Sequence, residues 1–400
     1  MKLLIVEDYV PLRTSITQLL RENGYAVDDT GDGTEAVDWA TKNTYTLAII
    51  DIMLPGMDGL DVLRPYGDAG YAGLRPTLAV PMAGVAQTDF HAMHQGLGGL
   101  APLWQAGSLG FVQACSTPYR DKRSHFAGQD QLEAGTGLDV PAGAVRDGWL
   151  NRLLQVMPGV QAETAYAVGR EALPILSGVA DVRQWAPETT LELSPQARLL
   201  LEQVYHDDPL FQQASAEAFD LTTGLGDMDK VSGKLADIDR LVDFTAARLR
   251  DATRIAAFSL SGWDTHKAQA KALPRALQRL ERVILRMQEQ LGPQVWDKTT
   301  LIAMTEFGRT ARENGSGGTD HGTGGTMVLA GGALRGGRVF GRWPGLGEGD
   351  LYQGRDLMPT SDVREWAAWA LRSGFGIDRA LLENAIFPGV QMGDDPGLLL

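Results

Sequence analysis

Four residues stand out by type and spacing: Asp264 and His266 in "SGWDTH", and Asp320 and His321 in "GSGGTDHGTGG". In extended backbone, side chains two apart point the same way, so Asp264 and His266 can hold one metal ion together. Neighbours point in opposite directions, so Asp320 and His321 suit two different ions, or one ion and one substrate group. Mixed carboxylate and imidazole ligands favour Zn²⁺, Mn²⁺ or Fe over Ca²⁺. The flanking glycines let backbone come close to ions and substrate. One Asp-His pair alone also describes a turn with a capping side chain; two such pairs beside predicted strand ends raise the claim of a metal site. "RDKRSHF" adds Ser124 and His125 on a loop, with Arg120, Lys122 and Arg123 near them as anion contacts. "TEFGRT" adds Glu306 and Arg309. His91 and His94, spaced i, i+3 in "HAMHQ", fit one helix face in a surface or core role, and His206 reads as structural.

A second set is purely acidic and lies near the start. "KLLIV" (2–6) is a short apolar run ending at Glu7 and Asp8, the pattern of a strand buried on both faces. Leu12, Ile16, Leu19 and Leu20 follow at helical spacing, with Gly24 as a C-cap. "YAVDDT" predicts a second strand, "GTEAVDWATKN" a second helix, and "TLAIID" (46–51) a third strand ending at Asp51. In such a β-α-β-α-β unit functional residues gather at the carboxyl ends of the strands, which places Glu7 and Asp8 beside Asp51. Three clustered carboxylates repel unless a hard cation such as Mg²⁺ sits among them and offers open positions to a phosphoryl group.

From about residue 65 a larger α/β pattern begins, with predicted strands at 109–114, 254–261, 299–305 and 326–332. The stretches 150–250 and 268–292 carry amphipathic helical spacing, and Leu277, Leu280, Ile284, Met287 and Leu291 read as a core face. Four hundred residues, 44% of them hydrophobic, supply a sizeable core. A net charge of −14 with no basic stripe argues against nucleic acid as a partner. The one cysteine, Cys115, excludes an internal disulfide framework. The first apolar run is too short for a signal peptide or a membrane span, so the expected location of the chain as written is the cytoplasm.

Residues 1–63 resemble the first half of a two-component receiver domain, through "IVED" and "IIDIMLPGMDG". The resemblance implies Asp51 as phosphoacceptor, a Mg²⁺ site at Glu7, Asp8 and Asp51, and a sensor histidine kinase as partner. The receiver pattern stops after Arg64: "RPTLAVPMAG" is not followed by a hydroxyl residue, and no Lys-Pro pair occurs in the chain. Residues 57–395 resemble the bacterial domain-of-unknown-function family 1501, of the alkaline phosphatase and sulfatase superfamily. The resemblance rests on "MDGLDVLRPYGDAGYAGLRPTLAVP", "RSHFAGQDQLEAG", "SGWDTH", "TEFGRT" and "NGSGGTDHGTGGTMVLAGG". It implies a mostly parallel sheet with helices on both faces and metal-assisted hydrolysis of a small phosphate or sulfate ester. By motif it implies Asp58 as the opening-loop acid, Asp264, His266, Asp320 and His321 as ligands, His125 as a further ligand, and Ser124 as nucleophile. Zn or Mn is the implied metal, and Arg123 and Arg309 are the anion contacts.

The expected fold is thus α/β: a partial flavodoxin-like receiver (1–63) fused to an alkaline-phosphatase-like domain (57–400), the two overlapping at the junction. The strand at 46–53 is expected to replace the first strand of the larger sheet. Three functions follow: a metal-dependent ester hydrolase, a phosphorelay protein with a non-DNA output, or a catalytically silent metal- or anion-binding protein.

Overall fold

The computed structural model describes residues 2–6, 10–30, 39, 47–50, 58–79, 88–120, 124–138, 140, 145–171, 173–187 and 235–400. The chain divides into two units, one of residues 1–54 with 124–126, the other of 55–123 with 127–400.

In the smaller unit, β1 (Lys2–Val6) lies between β2 (Ala26–Thr30) and β3 (Leu47–Ile50), and both pairings are parallel. Leu3 and Val27 are buried, with Leu20 of helix Val10–Glu22 packed against them, which fixes the inward face of both elements. This 2-1-3 order is the flavodoxin-like arrangement expected from the alternating runs. Glu7, Asp8 and Asp51 lie outside the described residues, as does nearly all of the helix predicted in "GTEAVDWATKN". The expected role of 46–53 is corrected: among the described residues, β3 pairs with β1 and with no strand of the larger sheet.

In the larger unit, β4 (Leu63–Arg64) and β5 (Ala92–Met93) form a short antiparallel pair. β6 (Leu109–Ser116) is the centre of the main sheet, and every one of its residues is buried. It explains why "LGFVQACS" shows no alternation: a strand covered on both faces has no solvent side to keep polar. A second, parallel sheet has the order β8-β7-β9, from β7 (Ala165–Val168), β8 (Arg183–Trp185) and β9 (Ile255–Ala257). The main sheet runs β10 (Leu301–Ala303), β11 (Gly325–Ala330), β6, β12 (Arg338–Phe340), and β13 (Ser361–Asp362) also pairs with β6. It is mixed: β10 with β11 and β11 with β6 are antiparallel, while β12 and β13 run parallel to β6.

Helix Gln269–Trp296 buries Leu277, Leu280, Ile284, Met287 and Leu291, the predicted core face. Each such side chain contributes roughly 1.5–3 kcal/mol relative to exposure. Gly292, at φ +67°, breaks the regular helix, and Pro293 opens its final turn. Helix Ala236–Leu249 lies against it, joined by Arg282 to Asp239 and Arg286 to Asp243. The helical spacing read over 150–250 is interrupted by β7 and β8; runs of three or four residues are too short to show a strand period. Residues 188–234, with His206, lie outside the described residues. The strand predicted at 254–261 ends at Ala257, which leaves Asp264 in a loop well beyond it. Among the described residues no helix is long and apolar enough to cross a membrane.

Candidate functional site

Two loops of the larger unit meet edge to edge. One follows β9 and carries Asp264 and His266; the other precedes β11 and carries Asp320 and His321. Asn314 ties them: its Nδ2 donates to the His266 carbonyl (2.9 Å) and to Asp320 Oδ1 (3.0 Å), and its Oδ1 accepts from Gly318 N (3.1 Å). The approach is so close that a Cβ on Gly318 would lie 2.3 Å from the His266 carbonyl carbon. A third segment, 308–310, is laddered onto the second loop by Thr310 N to Asp320 O (2.9 Å) and Gly322 N to Gly308 O (2.8 Å). It carries Arg309. A Cβ on Gly308 would meet the Gly324 carbonyl oxygen at 1.9 Å, so only glycine permits this pairing.

The side chains converge on one carboxylate oxygen. Asp264 Oδ1 lies 2.8 Å from His266 Nε2 and 3.3 Å from His321 Nε2, and it accepts a hydrogen bond from Arg309 Nη2. The two Nε2 atoms are themselves 2.9 Å apart, and Arg309 Nη1 is 3.4 Å from His266 Nε2. Asp320 Oδ1 faces the other nitrogen of His266, Nδ1, at 3.5 Å. The Phe307 ring packs 5.1 Å from that of His321 and covers its flank. Burial alone would raise the Asp264 carboxyl, but hydrogen bonds from His266 and His321 and the Arg309 charge outweigh it and hold it well below the carboxylate range. Asp320 is also held low: its partial burial is outweighed by the Asn314 amide and by His266.

Asp58 has other partners. Its Oδ2 accepts from Arg75 Nη1 (2.8 Å), from Gln269 Nε2 and from Thr319 Oγ1 (3.2 Å), while Oδ1 caps the amides of Leu60 (3.1 Å) and Asp61 (3.3 Å). Both oxygens therefore accept from protein donors. Burial works against its charge, and Arg75 beside it more than compensates, so Asp58 stays ionised. Arg309 is almost fully buried, and Arg123 lies outside the described residues. Ser124 and His125 are buried at the opening of helix His125–Ala134 and group with the smaller unit. Glu306 is buried and accepts from Thr305 Oγ1 (2.9 Å).

His91 and His94 do not share a helix; they flank the extended pair Ala92–Met93. Both are buried, and burial pushes each down to about 4, with Arg64 adding to the shift of His94. Asn314, Gln269 and Arg75 went unmarked in the sequence. Only Asn314 carried a local signal, as the Asn of "ENGSGG", a turn-forming composition.

Comparison with known families finds two separate matches. Residues 123–380, more than half of the chain, match the family described as "Protein of unknown function (DUF1501)". The chain belongs to this family. Residues 3–71 match the response regulator receiver domain, so a DUF1501 protein here carries a receiver segment at its front. That segment is 45% identical over 64 residues to the transcriptional regulatory protein HprR of Escherichia coli, covering 16% of this chain and 29% of the relative. It is 43% identical over 70 residues to the two-component response regulator PhoP of Pseudomonas aeruginosa, covering 18% and 31%. The transcriptional regulatory protein DltR of Streptococcus agalactiae is 40% identical over 70 residues, covering 18% and 31%. The chain thus spans about three tenths of the length of these relatives. No solved structure matches the chain.

Proposed function

We propose that the larger unit is a metal-dependent hydrolase of small phosphate or sulfate esters, centred on Asp264, His266 and His321. The observation that carries this reading is the meeting of two imidazole Nε2 atoms, 2.9 Å apart, over one carboxylate oxygen. Two neutral imidazoles turned toward each other oppose lone pairs unless a proton or a cation lies between them, and the donor set suits Zn²⁺ or Mn²⁺. When bound, such an ion polarises an ester oxygen and lowers the pKa of an attacking hydroxyl or water.

The chain's own residues do the rest. Asp320, facing His266 Nδ1, fixes that ring and its tautomer. The planar fork of Arg309 matches a phosphate or sulfate in geometry and charge. Ser124 as nucleophile, with His125 and Arg123 as further contacts, rests on the motif resemblance. The receiver segment implies a Mg²⁺-dependent phosphorelay step at Asp51, with Glu7 and Asp8 completing the acidic set and a histidine kinase as donor.

A second reading, a silent metal- or anion-binding site, draws on the same cluster, because Arg309 already neutralises Asp264. Metal analysis of the purified chain together with an aryl phosphate and aryl sulfate panel separates the two. Hydrolysis predicts bound metal and turnover, both lost in Asp264→Ala. Metal without turnover favours the silent site, and an absence of both rejects the hydrolase. For the receiver segment, labelling of Asp51 by acetyl phosphate in Mg²⁺ is expected, abolished in Asp51→Asn.

A further inference from the structure

Behind the candidate centre lies a cluster of polar side chains that no solvent reaches. Asp58, Asp61, Arg75, Gln269 and Thr319 are each at most 1% exposed, and Thr265 is at 2%. A buried polar group without a partner costs about 1–3 kcal/mol, so the connections in such a cluster decide whether it stabilises or destabilises the fold. Here they close.

Gln269 uses its whole amide. Nε2 donates to the carboxylates of Asp58 and Asp61, and Oε1 accepts from Thr265 Oγ1 (2.8 Å) and Thr319 Oγ1 (2.7 Å). Two donors and two acceptors are the full capacity of the group. Arg75 bridges the two acids through Nη1, at 2.8 Å from Asp58 and 3.3 Å from Asp61, and spends its other nitrogens on the carbonyls of Ala311 (3.0 Å) and Thr310 (2.7 Å). The anionic and hydrogen-bonding capacity of Asp58 is thereby met from within the protein.

The positions of these partners matter more than their number. Thr265 sits between Asp264 and His266, Thr319 directly precedes Asp320 and His321, and Thr310 and Ala311 directly follow Arg309. Each of the three segments that bring a side chain to the candidate centre is thus held, one residue away, by the same buried cluster.

We propose that Asp58, Arg75 and Gln269 are positioning residues for the candidate centre, and that Asp58 is not a ligand of its ion. Through Gln269 the cluster sets the separation of the 264–266 and 319–321 segments, and through Arg75 it sets the place of Arg309. This inference rests on reading Asp264, His266 and His321 as the ion-binding set, and its test must survive the failure of that reading.

Histidine-selective isotope labelling of the full chain supplies such a test, because the chain has only six histidines. Imidazole resonances of metal-free wild type are compared with those of Gln269→Met, Thr319→Val and Thr319→Ser, at temperatures where each is folded. The expected result is movement of the His266 and His321 signals in Gln269→Met and Thr319→Val, recovery in Thr319→Ser, which keeps the hydroxyl, and a fixed His91 signal throughout. If Gln269→Met does not fold, the Thr319 pair decides. A fall in melting temperature with unmoved His266 and His321 signals overturns the proposal, since a merely structural cluster would give that. Co²⁺ titration is the second arm: Gln269→Met and Asp58→Asn are expected to keep the wild-type stoichiometry with about 10- to 100-fold weaker affinity. Loss of a full equivalent of Co²⁺ in Asp58→Asn alone makes Asp58 a ligand and overturns the proposal. A wild type that binds no Co²⁺ rejects the hydrolase reading and leaves the histidine arm to judge the positioning.

Discussion

The larger unit contains two aspartate-arginine centres built from similar parts for different ends. Around Asp58 and Arg75 the carboxylate oxygens have donors, the arginine is 0% exposed, and its hydrogen bonds run to Asp58 and to the carbonyls of Thr310 and Ala311. Around Asp264 and Arg309 the arginine is equally buried, yet His266 remains 35% exposed and its Nε2 faces another imidazole nitrogen. A saturated, sealed centre resists change. A centre whose imidazoles meet nitrogen to nitrogen beside an opening to solvent suits a ligand. The contrast distinguishes scaffold from chemistry more clearly than residue type, because both centres use Asp and Arg.

The sharpest way to break this comparison is to remove each arginine. Arg75→Met leaves buried Asp58 without its cation and Asp61 with Arg64 alone, and is expected to destabilise the larger unit by about 3–5 kcal/mol, read as a shift in the urea unfolding midpoint. Arg309→Met is expected to cost clearly less stability while weakening inorganic phosphate binding about 10- to 100-fold, the size of a lost charge-assisted hydrogen bond. Equal stability losses for the two would erase the distinction drawn between them.

Acid titration probes the sealed side. His91 and His94 are held neutral down to about 4, whereas an unfolded histidine takes up its proton near 6.5. Between those values the unfolded chain binds more protons than the folded one, so stability is full above 6.5 and falls as pH drops toward 4. Urea midpoints measured from pH 7.5 to 4.5 should show that decline, and His91→Gln should make it shallower. On the open side, Asp320→Asn keeps the shape beside His266 Nδ1 and loses the charge. A drop in Zn²⁺ affinity of about 10- to 100-fold with little change in urea midpoint is expected, and no drop would remove Asp320 from the site. The smallest effect belongs to the exposed ladder between the long helices: Arg282→Ala should cost less than about 1 kcal/mol, as partly exposed ion pairs do.

Much of this arrangement is legible in the sequence, unevenly. β6 and β11 announce themselves because a strand covered on both faces must be apolar throughout. The face of the long helix through Leu277, Leu280 and Ile284 is equally plain, as are the Asp-His pairs set among glycines that close approach demands. β7 and β8 were hidden, being too short to show a period, and the mixed direction of the main sheet leaves no local mark. The motif that suggests Asp58 as a ligand is local, while Gln269, which donates to its carboxylate, lies 211 residues away.

The sequence by itself determined the two-part organisation, the parallel three-stranded start, the core face of the long helix and the four residues that meet at the candidate centre. Those follow from short-range rules: hydrophobic period, strand-end placement and the chemistry of Asp and His. The tertiary structure alone decided that Asp58 is sealed among protein donors while Asp264 lies beside a partly exposed imidazole, that Arg75 belongs to one and Arg309 to the other, and that one buried amide joins the loops between them. Such choices depend on which side chains meet across long chain separations and on how much water they exclude, and no local pattern encodes either.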